Sequence, residues 1–352
     1  MTAAGDDRAL DAAGAGVAGV DAVPDVAVGS CPACGAVVLD GERYCETCGT
    51  RLGGDDGPTG DVGSDGTPGA ANATRSAAHS ELDLGVVAAV SDRGRRRSRN
   101  EDAVRVAGTT GRVAAVVCDG VASTANADLA SAAAAGRAVE VLEAVARGAD
   151  PSSDGRLVVD TAEAFAAAQE AVLPVPSGPR GHDLSPSTTM VVAVVVGTRV
   201  VVGGVGDSRV YWLSADGTAG TLLTVDDSWA RERIDEGMDP EIAFAHPEAH
   251  TITRWIGADA GPVVPRIAET EVSGPGLVVL CTDGLWNYFE EPDRLARLVA
   301  ASPDTSALGI ARHLVDAALG AGGQDNVTVA VIPVTPVVPT PGIGPGTDQQ
   351  GE

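Results

Sequence analysis

Short runs of β-branched apolar residues, each ended by glycine or a polar residue, dominate the chain from residue 84 onward. Runs of this length and composition are typical of strands that are buried on both faces. The segments predicted to be strands are Leu84–Val90, Arg112–Cys118, Thr189–Val196, Val200–Val205, Arg209–Leu213, Thr221–Val225, Pro265–Val272, Leu277–Thr282 and Val327–Val334. Gly197-Thr198-Arg199 and Asp216-Gly217 separate neighbouring runs, which predicts two tight hairpins.

Segments with helical spacing of apolar residues lie between these strands in separated groups. The predicted helices are Ala125–Ala146, Leu157–Val172, Trp229–Glu236, Pro292–Ala300 and Ser306–Leu319. Strands in meanders with helices in pairs indicate an α+β fold, in which two antiparallel sheets pack face to face with the helices outside. The polar stretch 226–250, which holds the short helix, is a candidate lid.

Composition divides the chain into a main domain and flanking segments. Residues 1–30 and 335–352 are rich in small residues, glycine or proline, and both are predicted to be disordered. Residues 53–80 are predicted to form a flexible acidic linker. The main domain is therefore expected to span residues 81–334, after a small module at residues 31–52.

Charge excludes several function classes. The formal net charge is −25 and the chain has no lysine, which argues against general binding of nucleic acid or anionic membranes. Aromatic residues make up only 3% of the chain, so the core must be built from Ala, Val, Leu and Ile. No signal peptide or membrane-spanning segment is predicted, because the longest apolar stretch, Met190–Val196, is far too short. A cytoplasmic location is expected.

Two Cys-x-x-Cys pairs mark the small module: Cys31 with Cys34, and Cys45 with Cys48. Four thiolates at this spacing suit a tetrahedral Zn²⁺ site, and the metal would supply the fold of so short a segment. The module resembles the zinc-ribbon family, and we expect it to dock a protein partner rather than DNA. A redox dithiol pair or loose thiols are the alternatives.

Acidic residues at strand ends are the strongest sign of chemistry. Asp119 follows the apolar run Val116-Val117-Cys118, Asp283 follows a similar run, and Asp325 directly precedes the last strand. Gathering these carboxylates would be costly without cations, and hard oxygen ligands suit Mg²⁺ or Mn²⁺. Glu101 and Asp102 add two acids beside a cluster of arginines. With no recognisable Ser, Cys or His nucleophile, these residues indicate hydrolysis of a phosphate ester by metal-bound hydroxide.

The main domain resembles the PP2C-type family of metal-dependent protein serine/threonine phosphatases, in its bacterial form. The stretches that carry the resemblance run in family order: Arg97–Asp102, Cys118–Gly120, Ser187–Thr189, Val205–Tyr211, Leu223–Ser228, Thr253–Gly257, Thr282–Trp286 and Gln324–Thr328. Each is weak alone, whereas together they are specific. The resemblance implies a four-layer αββα sandwich and phosphorylated proteins, substrates of Ser/Thr kinases, as partners.

The resemblance also implies roles for single residues. Two Mn²⁺ or Mg²⁺ ions would lie between the sheets, bridged by Asp119, with the Gly120 carbonyl on one ion and Asp283 and Asp325 on the second. Glu101 and Asp102 would hold metal-bound waters, and Arg97 would clamp the substrate phosphate. Asp183 is the only acid placed to serve a third metal.

This chain departs from the family pattern after Asp119-Gly120, because Val121 is followed by Ala122-Ser123-Thr124 in place of a Gly-Gly or Gly-His run. That departure motivates an alternative function: a weakly active or degenerate phosphatase fold that binds phosphoproteins as a sensor or scaffold. The arginines at 93–99 other than Arg97 are interpreted as a solvated face, with steering of acidic phosphopeptides as the other possibility. Asp207 is interpreted as a structural turn residue.

Overall fold

The computed structural model describes residues 27–30, 37–39, 78–148, 155–177 and 185–335. Two short strands, β1 (Ala27–Ser30) and β2 (Val37–Leu39), pair antiparallel, and β1 lies at the end of the predicted N-terminal tail. Asp183 and the four cysteines predicted to bind zinc, Cys31, Cys34, Cys45 and Cys48, lie outside the described residues.

The main domain consists of strands β3 to β15 and helices α1 to α7. The strands are β3 (His79–Asp83), β4 (Ala88–Asp92), β5 (Asp102–Thr109), β6 (Arg112–Asp119), β7 (Ser187–Thr188), β8 (Met190–Val196), β9 (Arg199–Val205), β10 (Arg209–Ser214), β11 (Gly220–Leu222), β12 (Ile256–Gly257), β13 (Arg266–Glu271), β14 (Gly276–Cys281) and β15 (Val327–Val334). The helices are α1 (Ala127–Arg147), α2 (Leu157–Val172), α3 (Trp229–Asp235), α4 (Pro240–Phe244), α5 (Asp283–Trp286), α6 (Pro292–Ala300) and α7 (Ala307–Ala321).

Two antiparallel sheets form the centre of the domain. One has the strand order β11-β10-β14-β15-β4-β3 and the other β13-β9-β8-β6-β5, while β12 and β7 form a separate small pair. Alternate residues of each strand point to opposite faces. In β6, Val113, Ala115 and Val117 pack in the core between the sheets, whereas Val116 and Cys118 pack against α1 and α2. The same alternation in β14 places Val278 and Leu280 between the sheets.

Helices cover the outer face of each sheet. Helices α1 and α2 pack on the sheet that contains β6, and the core between them includes Leu142 and Phe165. Helices α6 and α7 pack on the sheet that contains β14, through Leu295 and Leu314. The predicted α+β arrangement of two antiparallel sheets with outer helix pairs is therefore confirmed. None of the helices in the described part of the chain is long and apolar enough to cross a bilayer.

Three predictions of local structure were wrong. The predicted strand Leu84–Val90 is the turn after β3 followed by the first half of β4, because Gly85 N donates to Asp83 Oδ1 at 2.8 Å and the backbone turns there. Strand β5 was not predicted, since the exposed Arg105 and the glycine at 108 interrupt its apolar run. The polar stretch 226–250 contains α3 and α4 rather than one helix, with the Trp229 and His246 rings stacked 4.1 Å apart.

Candidate functional site

The ends of β6, β14 and β15 open onto one cavity of about 150 Å³. Because β14 and β15 are antiparallel, the end of β14 and the start of β15 lie at the same edge of their sheet. We call this space the carboxylate cavity, and it is lined by Arg97, Glu101, Asp119, Gly120, Val121, Ala122, Thr189, Asp207, Ile252, Asp283, Asp325 and Asn326. Six predicted site residues are thus brought together: Arg97, Glu101, Asp119, Gly120, Asp283 and Asp325.

Asp119 and Gly120 are held at the end of β6 by backbone hydrogen bonds. Thr189 N donates to the Asp119 carbonyl at 2.8 Å, and Gly120 N donates to the Glu101 carbonyl at 3.1 Å. A Cβ atom at Gly120 would lie 2.7 Å from the carbonyl oxygens of Ala127 and Glu101. Only glycine therefore allows the backbone to pass this close to the start of α1.

Asp283 follows β14 and begins the short helix α5. Its Oδ2 accepts a hydrogen bond from Asn287 Nδ2 at 3.2 Å. Its Oδ1 is buried and has no hydrogen-bond partner among the residues that the structure describes. An unpaired buried carboxylate oxygen is costly, and such an atom marks a place for a cation or another donor.

Arg97 and Asp325 form the one direct ion pair of the predicted set. Arg97 Nη2 donates to Asp325 Oδ2 at 2.5 Å, across 228 residues of sequence. This hydrogen bond raises the pKa of Arg97. Arg97 therefore neutralises one carboxylate of the cavity in the structure, while its side chain remains 39% exposed.

Asp102 lies beside Asp119 in the β5–β6 ladder and does not line the cavity. Its side chain is fully buried, and its Oδ2 accepts from Thr328 Oγ1 at 2.7 Å and from Thr282 Oγ1 at 3.0 Å. Thr328 lies in β15 of the opposite sheet, and Thr282 directly follows β14 of that sheet. Asp102 thus ties the two sheets together directly beneath the other carboxylates.

Asn326 organises the site from the start of β15, a role that the sequence reasoning did not assign. Its Nδ2 donates to the carbonyls of Arg93 and Arg99 at 2.7 and 2.8 Å. Its Oδ1 accepts from Glu101 N at 2.8 Å. One side chain therefore fixes both ends of the arginine-rich loop and the backbone of Glu101.

Asp207 also lines the carboxylate cavity, and its interpretation as a structural turn residue stays a prediction. Its carbonyl accepts from Trp286 Nε1 at 2.9 Å, and the Arg209 guanidinium packs 3.8 Å over that indole ring. Arg209 in turn pairs with Asp226 at 2.7 Å. The sequence contained a sign of this position, because Asp207 comes soon after the buried run Val200–Val205, much as Asp119 comes after the run Val116-Val117-Cys118.

Burial and mutual repulsion perturb the acidic groups of the site. Burial raises the pKa of Glu101 to about 7 and that of Asp283 to about 6, with Asp325 adding repulsion in both cases. Burial also raises the pKa of Asp207 to about 8 and that of Asp119 well above its usual range. The pKa of Asp102 rises to about 8 because burial outweighs the hydrogen bonds from Thr328 and Thr282.

A divalent cation site requires several oxygen ligands around one point. Among the residues that the structure describes, no three carboxylate, histidine or cysteine side chains already enclose one point as metal ligands. The donor set nevertheless fits hard cations, since it offers several carboxylates, an unpartnered oxygen on Asp283 and a close backbone approach at Gly120. Positive charge in the cavity would offset the burial and the repulsion that now raise the pKa values.

Two free cysteines and Trp286 are buried and do not line the carboxylate cavity. Cys118 and Cys281 are free and fully buried, and burial raises the pKa of both thiols, as expected for inert packing residues. Trp286 is buried as well, and its indole N–H donates a hydrogen bond to the Asp207 carbonyl. No histidine of the described segments lines the carboxylate cavity.

Comparison with known proteins gives this site a family. The Protein phosphatase 2C family matches residues 92–317. Serine/threonine protein phosphatase PstP of Mycobacterium tuberculosis is 31% identical over 249 residues, which cover 70% of this chain and 44% of that protein. The chain thus matches less than half the length of that relative.

Solved structures agree with this result. The crystal structure of the Mycobacterium tuberculosis serine/threonine phosphatase PstP/Ppp superposes with a TM-score of 0.56 at 29% identity, covering 71% of this chain and 98% of that one. The catalytic domain of PstP in complex with two manganese ions gives 0.53 at 27% identity, covering 70% and 97%. Because the family match extends over most of the sequence and the relatives share its fold, the chain belongs to the protein phosphatase 2C family.

Proposed function

We propose that this protein hydrolyses phosphoserine and phosphothreonine esters on proteins, with two Mn²⁺ or Mg²⁺ ions held in the carboxylate cavity. The observation that carries the proposal is the convergence of Glu101, Asp119, Asp207, Asp283 and Asp325 in one cavity. Carboxylates that are buried together repel one another, and this repulsion costs free energy. Bound cations would offset the repulsion and give the cluster a function. Relatives named serine/threonine phosphatases, one of them in complex with two manganese ions, support the assignment.

In this proposal the ligands are Asp119, Asp283, Asp325 and the Gly120 carbonyl. Glu101 and Asp102 would hold waters of the ions, Glu101 from the cavity wall and Asp102 from its buried place beside Asp119. When bound, the ions supply Lewis acidity that lowers the pKa of a water and stabilises charge on the phosphate. The backbone bonds of Thr189 and Glu101 keep Asp119 and Gly120 in place for this task.

Arg97 would bind the phosphate of the substrate. Its guanidinium lines the cavity and is partly exposed, and a planar fork of N–H donors matches two phosphate oxygens. To do so, Arg97 must exchange its present partner, Asp325, for the substrate. The exchange replaces one charge-assisted hydrogen bond by others of the same kind, so it costs little.

The N-terminal module is proposed to bind one Zn²⁺ through Cys31, Cys34, Cys45 and Cys48 and to dock a protein partner. Support comes from the Cys-x-x-Cys spacing. The paired strands β1 and β2 also bracket the segment that holds Cys31 and Cys34. The substrates of the phosphatase domain are proposed to be proteins phosphorylated by Ser/Thr kinases.

The test is hydrolysis of phosphoserine and phosphothreonine peptides and of an aryl phosphate with and without added Mn²⁺. We expect turnover that depends on Mn²⁺ and that Asp119→Asn abolishes. Activity that survives Asp119→Asn contradicts the proposed site. Tight phosphopeptide binding without turnover at saturating Mn²⁺ identifies the alternative, a phosphoprotein-binding scaffold.

A further inference from the structure

A second cavity, of about 490 Å³, adjoins the carboxylate cavity, and we call it the arginine cavity. Four of its eight lining residues (Arg97, Glu101, Ala122 and Asp325) also line the carboxylate cavity. Arg96 and Arg99 line only the arginine cavity. A group bound there therefore lies next to a phosphate bound at the site.

The arginine cavity is formed by the most basic segment of an acidic protein. Five of the chain's 24 basic residues lie between Arg93 and Arg99, against a net charge of −25. Arg96 and Arg99 are exposed, and neither forms an ion pair with any residue that the structure describes. Elsewhere most arginines are paired with carboxylates, as in Arg209–Asp226 and Arg312–Glu81. The segment thus presents guanidinium groups that are available to a ligand.

The loop that carries these arginines is fixed rather than loose. Asn326 donates to the carbonyls of Arg93 and Arg99, at both ends of the loop. Arg95 N donates to the Gly323 carbonyl at 2.7 Å. Because the backbone is held in place, less freedom is lost when the side chains bind an anion.

The walls of the arginine cavity also include the carboxylates Glu101 and Asp325, on the side that it shares with the carboxylate cavity. Arg97 neutralises Asp325. An anion would consequently bind on the far side, beside Arg96 and Arg99. A compact cavity of about 490 Å³ is roughly 10 Å across, which is the length of about three extended residues.

We propose that Arg96 and Arg99 form a second anion-binding subsite for the substrate. The subsite receives a phosphate or carboxylate group about two or three residues from the phosphoserine or phosphothreonine that is hydrolysed. Guanidinium groups recognise both anions through paired N–H donors. The substrate class is therefore multiply phosphorylated or acidic segments of proteins. This inference rests on the proposed phosphatase function.

The test compares three phosphothreonine peptides of equal length. The first peptide has neutral flanks. The second has Asp residues two and three positions from the phosphothreonine on both sides. The third has a second phosphothreonine at that spacing. With Mn²⁺, we expect kcat/KM to be about tenfold higher for an anionic peptide than for the neutral one, as for one charge-assisted hydrogen bond. The gain should appear in KM, because the contact is made equally in the ground state and transition state.

The double variant Arg96→Ala/Arg99→Ala should reduce this ratio to nearly one. Since both peptides are assayed with the same enzyme preparation, a general loss of folding cancels in the ratio. Arg297→Ala is the matched control, because Arg297 is exposed on α6, outside both cavities, and has no ion pair in the described chain. That variant should keep the wild-type ratio.

Preference for the doubly phosphorylated peptide alone assigns the subsite to phosphate, and equal preference for both anionic peptides assigns it to anions in general. A ratio of one in the wild type, or a high ratio that persists in the double variant, overturns the inference. If no peptide and no aryl phosphate is hydrolysed, the proposed function itself fails. Fluorescence anisotropy then measures the binding affinity of the same three peptides, and the same ratios between peptides are compared.

Discussion

At the residue scale, the carboxylate cavity gathers acidic groups whose burial and mutual repulsion lower stability when the groups are ionised. Asp283 shows this most directly, because its Oδ1 is buried without a partner and burial raises its pKa to about 6. The rule that found Asp119 and Asp283, an apolar run that ends in an acid, also fits Asp207. At Asp207, however, the flanking residues Gly206 and Ser208 indicated only a turn. The Arg97–Asp325 pair could not be predicted, since nothing local links residues 228 positions apart.

Replacing Asp283 by Asn should change activity and stability in opposite directions. The variant Asp283→Asn removes a proposed metal ligand, so Mn²⁺-dependent hydrolysis should fall at least about 100-fold, because Lewis-acid stabilisation is worth several kcal/mol. It also removes a charge from a repulsive cluster, so the metal-free protein should melt a few degrees higher. Turnover and thermal melting in EDTA measure the two effects.

The control for that substitution is Asp316→Asn, on the exposed face of α7. It makes the same chemical change at an exposed carboxylate outside the carboxylate cavity, so neither quantity should move. A loss of both activity and stability in Asp283→Asn would show that this carboxylate supports the fold instead of binding a cation.

The acidic groups also predict how stability depends on pH. Their pKa values in the folded state are raised, to about 6 for Asp283, about 7 for Glu101 and about 8 for Asp207. A carboxyl with a raised folded pKa costs nothing while it is protonated and destabilises the fold as pH rises from the unfolded pKa through the folded pKa. The metal-free protein should therefore lose stability between about pH 4 and pH 8.

Bound cations should remove much of that loss. Chemical denaturation at pH 5 and pH 8, with EDTA or with Mn²⁺, measures the free energy of unfolding in each state. The net charge of −25 contributes a general decline with pH in both states. The difference between the two slopes is consequently the relevant quantity, and equal slopes would contradict a cation site among these carboxylates.

At the element scale, strands and helices were predictable where burial made their pattern continuous. β6, β8, β14 and β15 are apolar on both faces, because each is covered by the other sheet on one side and by helices on the other. β5 escaped prediction because Arg105 and Gly108 interrupt its pattern. The arginine-rich loop, which has no periodicity at all, is ordered by contacts with the start of β15 that only the tertiary structure reveals.

Gly94 should be essential for the contact between that loop and β15. It has a φ of 77°, and a Cβ atom there would lie 2.0 Å from the Asp325 carbonyl oxygen. Gly94→Ala should therefore displace the loop or Asp325 and lower stability by more than the 1–2 kcal/mol or so of left-handed strain. It should also weaken Mn²⁺ activation, which a titration of activity against Mn²⁺ measures.

Gly111→Ala separates the clash from the strain. Gly111 has a φ of 78° in the turn between β5 and β6, and no atom lies within 4 Å of a Cβ built there. That variant should lose only about 1–2 kcal/mol of stability and keep the wild-type response to Mn²⁺. Equal effects of the two substitutions would mean that the fit of the loop against Asp325 does not matter.

At the scale of the whole molecule, one chain is proposed to hold two metals of different chemistry in different parts. The carboxylate cavity offers hard oxygen ligands, whereas Cys31, Cys34, Cys45 and Cys48 offer soft thiolates. Sequence spacing alone predicts the thiolate site, because its ligands are local. The oxygen site depends on the packing of two sheets, so the sequence could suggest its acidic residues but not the contacts that Asn326 makes with the arginine-rich loop.

Metal analysis of purified variants should therefore show two independent losses. Cys31→Ser/Cys34→Ser should lose the one expected zinc ion per chain and keep Mn²⁺-dependent turnover of an aryl phosphate, because ligand softness separates the sites. Asp119→Asn should keep the zinc and lose the turnover. Cys281→Ala controls for the loss of a thiol, since Cys281 is buried in β14 of the main domain, and its zinc content should match the wild type. Zinc that is absent from the wild-type chain would favour a redox dithiol pair at these cysteines, and zinc that departs with Asp119→Asn would place it in the carboxylate cavity instead.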